Sequence, residues 1–446
     1  MKLLQRFCLA LLIGLISSIP VHAGIEIEIA KALDSAQPIA IVPFRIDVKR
    51  PLPENISDII RADFSRSGEF RPLSPNSFTQ RPSRPQDIDP SYWRQLGVDN
   101  VVVGQVIETK PGMYHVTIGL VDAFMASQAQ QTGAQSAVKP VLYRDFDVPI
   151  GKLREFSHFL SDLIYEQLTG VRGVFSTRIA YVTVDWLQGN RRMYRLEVSD
   201  ADGYKPVTIL TSKEPIMSPS WSPDGHKLAY VSFERFRSEI YIADLRTGRR
   251  ELISAMPGIN GAPAWSPDGS KIALVLSREN TPKIHIMDLA NHRMQQVTDG
   301  YSIDTEPRWY PDGRSLVFTS NRGGQPQLYR LTLGDNRVQR LTFSGNYNTR
   351  GSVTPDGKQL VMIHRGGSGD GFSIAAQDLD SGQLRILTQT RLDESPTLAP
   401  NGRLIMYGTA EGGRNVLGAV SIDGRVKWHV PNRGGELQEP AWSPYL

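Results

Sequence analysis

The chain has 446 residues, 40% of them hydrophobic and 22% charged, a balance that suits folded domains and excludes a disordered chain. Its net charge is only +4, and Lys2 and Arg6 at the very start supply two of those charges, so no concentrated basic face for nucleic acid is implied. Cys8 is the single cysteine, which excludes a disulfide framework, a thiolate metal site and a cysteine nucleophile in the rest of the chain.

Residues 1–23 read as a secretory signal. Lys2 and Arg6 give the positive start, residues 7–19 the apolar stretch, and Val21-His22-Ala23 the small-x-small cleavage site. That stretch is shorter than the roughly 20 apolar residues needed to span a bilayer, and no later segment is apolar enough, so no transmembrane span is expected. The expectation is an exported chain, cleaved after Ala23 and periplasmic in a double-membraned bacterium. The next residues, Gly24, Ile25, Glu26, Ile27, Glu28 and Ile29, alternate strictly and predict a strand with isoleucine on one face and glutamate on the other. Two readings stay open: the first strand of the adjoining domain's sheet, or an N-terminal arm over 24–30 that adds to a partner's sheet edge or returns to its own domain.

Residues 24–170 carry no repeat. A buried strand is predicted at 39–44, then a helix over 53–67 with Ile56, Ile59, Ile60 and Phe64 on one side and Gly68 as its stop. A short helix at 92–96 leads into strands at 101–106, 114–121 and 143–148. A second amphipathic helix over 153–168 stops at Gly170. The mixture defines a small α/β domain, joined to the remainder of the chain by the short connection Gly170-Val171-Arg172-Gly173.

From residue 174 the chain repeats. Ser222-Pro223-Asp224-Gly225 returns as Ser266-Pro267-Asp268-Gly269, Tyr310-Pro311-Asp312-Gly313 and Thr354-Pro355-Asp356-Gly357, then more weakly as Ala399-Pro400-Asn401-Gly402, and finally as Ser443-Pro444. The offsets are 44, 44, 44, 45 and 44 residues, the spacing of four-stranded propeller blades. In each unit a strand ends in a Pro-Asp-Gly turn, where proline sets φ and glycine accepts a positive φ. Trp221, Trp265, Trp309 and Trp442 recur at one phase and are expected to pack between blades. The second-strand signature occurs six times, but the turn strand is missing before Ile179 and stands instead at the C-terminus, as Glu439-Pro440-Ala441-Trp442. The expected fold is thus an α/β N-terminal domain plus an all-β six-bladed β-propeller over 174–446, its C-terminal strand closing the first blade and removing the open edges.

No catalytic site is expected. Gly366-Gly367-Ser368-Gly369-Asp370 lacks the final glycine and the strand-turn-helix context of a nucleophile elbow. The eight histidines form no zinc-like cluster, and no phosphate-cradling loop is present, so neither metal nor cofactor is expected. The residues before each turn strand should occupy equivalent loops at one mouth of the central channel. They include Asn260 and Pro263, Asp304, Glu306 and Pro307, Asp393, Glu394 and Pro396, and Glu439 and Pro440. Their carboxylates predict an acidic mouth that accepts a partner segment or a hard cation.

These residues resemble the TolB family of the Tol-Pal cell-envelope system. The resemblance rests on residues 178–182 (RIAYV), 218–225 (SPSWSPDG), 260–264 (NGAPA), 296–300 (QVTDG), 392–396 (LDESP) and the terminal 440–446 (PAWSPYL). It implies a non-enzymatic, monomeric periplasmic adaptor whose mouth binds the lipoprotein Pal and whose arm, here Gly24 to Ile29, engages TolA. Roles in outer-membrane integrity and in constriction during division are implied too, with colicins exploiting the same mouth. Ile259 stands where the resemblance implies a polar mouth residue. The alternative is an exported propeller, derived from a peptidase-type propeller, that binds peptides or glycans in its channel.

Overall fold

The computed structural model describes residues 27–28 as backbone and residues 36–131, 138–277, 281–390, 392–431 and 434–446 in full. The signal region, and the arm apart from Ile27 and Glu28, lie outside the described residues.

In the first domain a mixed sheet runs in the order Phe70–Pro72, Gln37–Ile41, Asn100–Lys110, Met113–Asp122, Leu142–Pro149, with Arg45–Asp47 also beside Asn100–Lys110. The helix Ile56–Ser67 starts where the Asn55 side chain accepts the Asp58 N–H and stops at Gly68, at φ +77°. With the helix Leu153–Thr169 it buries Ile56, Ile60, Phe64, Leu160 and Ile164 against Ile39, Val116 and Ile118. On the opposite sheet face Trp93, carried by the helix Pro90–Gln95, packs among Val101, Val103 and Val121. The helix Ala123–Gln131 has no counterpart in the sequence reading, because it buries only Ala123 and so has no apolar stripe.

The long helix meets the propeller without a linker. Asp162 accepts the N–H groups of Phe175 (2.8 Å) and Ser176 (3.1 Å), and a Cβ on Gly173 would lie 2.8 Å from the Asp162 Cα. Only glycine permits that approach.

Six four-stranded antiparallel blades come next in the chain, as the repeat predicts. Blade three, for example, is Asn260–Trp265, Lys271–Leu276, Lys283–Asp288 and Met294–Gln296. The strand Glu436–Trp442 pairs with Arg178–Leu187, placing Trp442 opposite Ile179, and so completes blade one. The tryptophans tie neighbouring blades together: Trp221 Nε1 donates to the Ala441 carbonyl (2.9 Å), Trp265 to Ser220 (3.2 Å) and Trp309 to Ala264 (3.0 Å).

Ile27–Glu28 is not part of the first domain's sheet. It pairs with Lys427–His429, the outermost strand of blade six, with Glu28 in register with Lys427. An outer blade edge carries unpaired backbone groups, and the alternating segment satisfies them there.

The first domain sits against the end of the propeller that carries the Pro-Asp-Gly turns. Arg403, beside the turn at 399–402, pairs with Glu69 (2.6 Å), and Asn401 donates to the Arg172 carbonyl (3.3 Å). A buried ionic cluster spans the same junction. Asp63 receives Ser161 Oγ (2.6 Å) and His158 Nδ1 (2.8 Å), Arg66 lies 3.5 Å from Asp202, and Arg154 binds both Asp200 (3.2 Å) and Asp202. Burial alone would lower the His158 pKa, but Asp63 and Asp202 raise it above the ordinary imidazole value.

Candidate functional site

The innermost strand of every blade breaks register once. The irregularities fall at 217–220, 261–264, 305–308, 349–352, 394–397 and 438–441. Each holds one non-glycine residue in the left-handed region: Ser218, Ala262, Glu306, Arg350, Ser395 and Glu439, with φ between +46° and +54°. A β-bulge of this kind re-aims a side chain at about 1–2 kcal/mol of backbone strain, and here it happens six times around one axis. Proline comes next in five of the six, at Pro219, Pro263, Pro307, Pro396 and Pro440, where the bulge needs no ladder donor. All six residues line a cavity of about 390 Å³ at the mouth, remote from the first domain.

Arg350 organises this ring. Its guanidinium bonds Glu306 (3.0 Å), Glu439 (3.2 Å) and the Ser395 hydroxyl (2.7 Å), while Ser395 Oγ also donates to Glu439 (3.1 Å). The second carboxylate oxygens are met by backbone: Ser218 N–H donates to Glu439 and Arg350 N–H to Glu306, each at 3.1 Å. Burial opposes the Arg350 charge, but Glu439 and Glu306 raise its pKa further above the guanidinium value. Burial likewise opposes the Glu439 charge, and Arg350 outweighs it, holding that carboxyl below the usual range. Glu394 stands at the lip, where the surrounding wall and then the Glu439 charge raise its pKa. Among the described residues Arg308 has no hydrogen bond or ion pair. Its pKa is pushed down by burial and by the neighbouring Arg350 charge.

The ten mouth residues read from the sequence therefore separate. Asn260, Pro263, Glu306, Pro307, Pro396, Glu439 and Pro440 line the cavity and Glu394 stands at its lip, all of them in the innermost strands rather than in loops before them. The polar side chains of Asn260, Asp304 and Asp393 do not reach solvent at the mouth, at 1%, 0% and 1% exposure. Asn260 fastens Ser254 and Met256; Asp304 takes Ser320 (2.6 Å) and Arg322 (3.0 Å); Asp393 takes Thr409 (2.7 Å). With Asn348 they form a periodic polar staple that fixes the loop entering four of the six inner strands; Ile216 and Leu437 stand at the equivalent positions of the other two. The charge of the mouth differs from the expectation as well: Arg350 stands among its carboxylates and pairs two of them, Glu306 and Glu439. The rim is apolar instead, with Phe236, Ile259, Tyr301, Ile303, Phe343 and Leu392 exposed.

Among the described residues one group, His158, Asp200 and Asp202, has three potential metal-ligand atoms within 4.8 Å of one another. Arg66 and Arg154 already occupy its carboxylates, so it acts as an ionic clamp. The segment 366–370 is a loop between the strands Gln359–Arg365 and Ser373–Asp378, without the context of a nucleophile elbow.

The fold defines a class: a two-domain protein, an α/β domain carrying a six-bladed propeller. Residues 25–129 match the TolB amino-terminal domain family and residues 165–446 the TolB beta propeller domain family. The Tol-Pal system protein TolB of Nitrosococcus oceani is 58% identical over 436 residues, covering 98% of this chain and 97% of its own. That of Coxiella burnetii is 58% identical over 439 residues, covering 98% of each. The crystal structure of TolB from Acinetobacter baumannii superposes with a TM-score of 0.84 at 41% identity, over 94% of this chain and all of its own. The chain belongs to the TolB family.

Proposed function

We propose that the chain is a periplasmic adaptor of the Tol-Pal system, binding the lipoprotein Pal through the propeller mouth and TolA through the arm at 24–30. On this reading it supports outer-membrane integrity and invagination during division, works as a monomer, and offers colicins the same mouth. The observation that carries the reading is the ring of six bulges around a 390 Å³ cavity, on the face that the first domain leaves free. Large apolar side chains left exposed around one mouth, among them Phe236, Tyr301 and Phe343, mark a surface for a partner. The near full-length identity to relatives named Tol-Pal system protein TolB supports it independently. Among the described residues no helix is long and apolar enough to cross a membrane.

Glu306, Glu394, Glu439 and the ring prolines would touch Pal, while Asn260, Asp304 and Asp393 would hold the loops in place. For TolA, Ile27 and Glu28 would leave Lys427–His429 and pair with the partner's sheet edge instead. Calorimetric titration with the soluble domain of Pal tests the central claim. Saturable one-to-one binding, weakened when Glu306 and Glu394 become glutamine, is expected; absence of heat at high concentration refutes it and favours peptides or glycans.

A further inference from the structure

Among the described residues Phe236 is the only exposed large apolar side chain on left-handed backbone, at φ +62° with 85% of its surface in solvent. A bulky side chain in that region is an outlier, and it persists only where the surroundings over-determine it. Here they do. The Phe236 N–H closes a turn onto the Phe233 carbonyl (2.8 Å), and Ser238 Oγ receives the Asn260 N–H of the next blade (2.9 Å). Below the tip lies Glu239, its side chain 1% exposed, which takes Arg237 (2.8 Å) and the Tyr241 hydroxyl (2.7 Å) and faces Arg235 at 3.9 Å. Both arginine side chains remain more than half exposed, at 61% and 58%. The loop thus holds up a rigid Arg-Phe-Arg knob, and Phe233 and Ser238, on either side of it, line the mouth cavity.

Among the described residues no aromatic or cation partner covers this ring, although the backbone is strained to present it. We propose that Phe236 is the anchor of the mouth, inserting into an apolar socket edged by carboxylates on a folded protein partner, with Arg235 and Arg237 meeting those carboxylates. This rests on the reading of the mouth as a partner-binding face and names the chemistry that face selects. Exposed aromatic and arginine side chains are the types that dominate binding energy at protein interfaces. The adjoining cavity favours a protein over a bilayer: a lipid surface lying across this face would leave the 390 Å³ space unfilled, whereas a convex protein segment would fill it.

Phe236→Gly separates binding from folding, because glycine relieves the strained backbone while removing the ring. The full chain carrying this change is expected to melt at the same temperature as the parent or higher, yet to bind the soluble domain of Pal at least about ten-fold more weakly. Arg235→Gln, which leaves Arg237 on Glu239, should slow association several-fold at low salt and flatten its salt dependence. Unchanged affinity in Phe236→Gly overturns the anchor while leaving the adaptor reading intact. Failure of the parent to bind overturns both. Binding of the parent to phosphatidylglycerol vesicles that Phe236→Gly abolishes, with Pal affinity unchanged, replaces the protein socket with a lipid surface.

Discussion

Replacing Arg350 with methionine keeps an unbranched side chain in the ring but removes the guanidinium that bonds both Glu306 and Glu439. Glu439 is the more exposed to this loss energetically because its side chain is only 9% accessible, against 25% for Glu306. Removing one partner of a buried ion pair costs about 3–5 kcal/mol. Glu439 keeps hydrogen bonds from Ser218 N–H and Ser395, and the ring opens on solvent at the mouth, so the lower end, about 3 kcal/mol, applies here. For a domain of this size that is a fall in Tm of roughly 6–10 °C at pH 7. The pH dependence gives the reasoning a sign. In the parent the Glu439 pKa lies below its unfolded value, so its contribution is present above that value and is lost as pH falls through the folded pKa. In Arg350→Met burial raises the same carboxyl, so the variant is penalised near neutrality and relieved by acid. Calorimetric melting of parent and variant from pH 7.5 to 4.5 should therefore show the gap narrowing, and Glu439→Gln in the variant background should restore part of the loss at pH 7. A gap that stays constant with pH, or no rescue by glutamine, refutes the argument.

At the domain junction His158 carries the opposite sign. Its folded pKa is raised, so its contribution is complete below about pH 6.5 and is lost as pH rises through the folded value. Scanning calorimetry from pH 6 to 9 should show the junction loosening with rising pH, and His158→Gln should remove that dependence. Gly173→Ala should drive a methyl into the Asp162 backbone, cost about 1–3 kcal/mol and open the 170–173 connection to limited proteolysis; unchanged protection would refute the close approach.

The propeller was legible because its signal is periodic and redundant: one Pro-Asp-Gly turn hardly matters, but four of them and a Pro-Asn-Gly at a nearly fixed offset define blades, and the displaced Glu439-Pro440-Ala441-Trp442 shows how the ring closes. The mouth was legible in position but not in charge. The same offset counted from Glu306 leads to Arg350 and Ser395, yet Arg350 is followed by glycine where its equivalents have proline, so the local motif hides it. Asn260, Asp304 and Asp393 were read as ligands because polar residues near a mouth look available. Their partners, such as Arg322 and Thr409, arrive from the next strand or loop and are visible only in three dimensions. The Ala123–Gln131 helix and the seat of Ile27–Glu28 have the same cause: neither carries a pattern that specifies its neighbour.

Closure of blade one by Glu436–Trp442 also sets a clock. The Arg178 N–H bonds Ser443 Oγ across 265 positions of sequence, so the strand begun first is the last to find its partner. Contacts this distant form slowly, and none of the closing ones exists until the final residues have been made. A chain released even slightly early keeps an open sheet edge at Arg178–Leu187, which other strands can join and proteases can reach. The ring is therefore sealed only by a chain that carries both the Arg178–Leu187 and the Glu436–Trp442 segments.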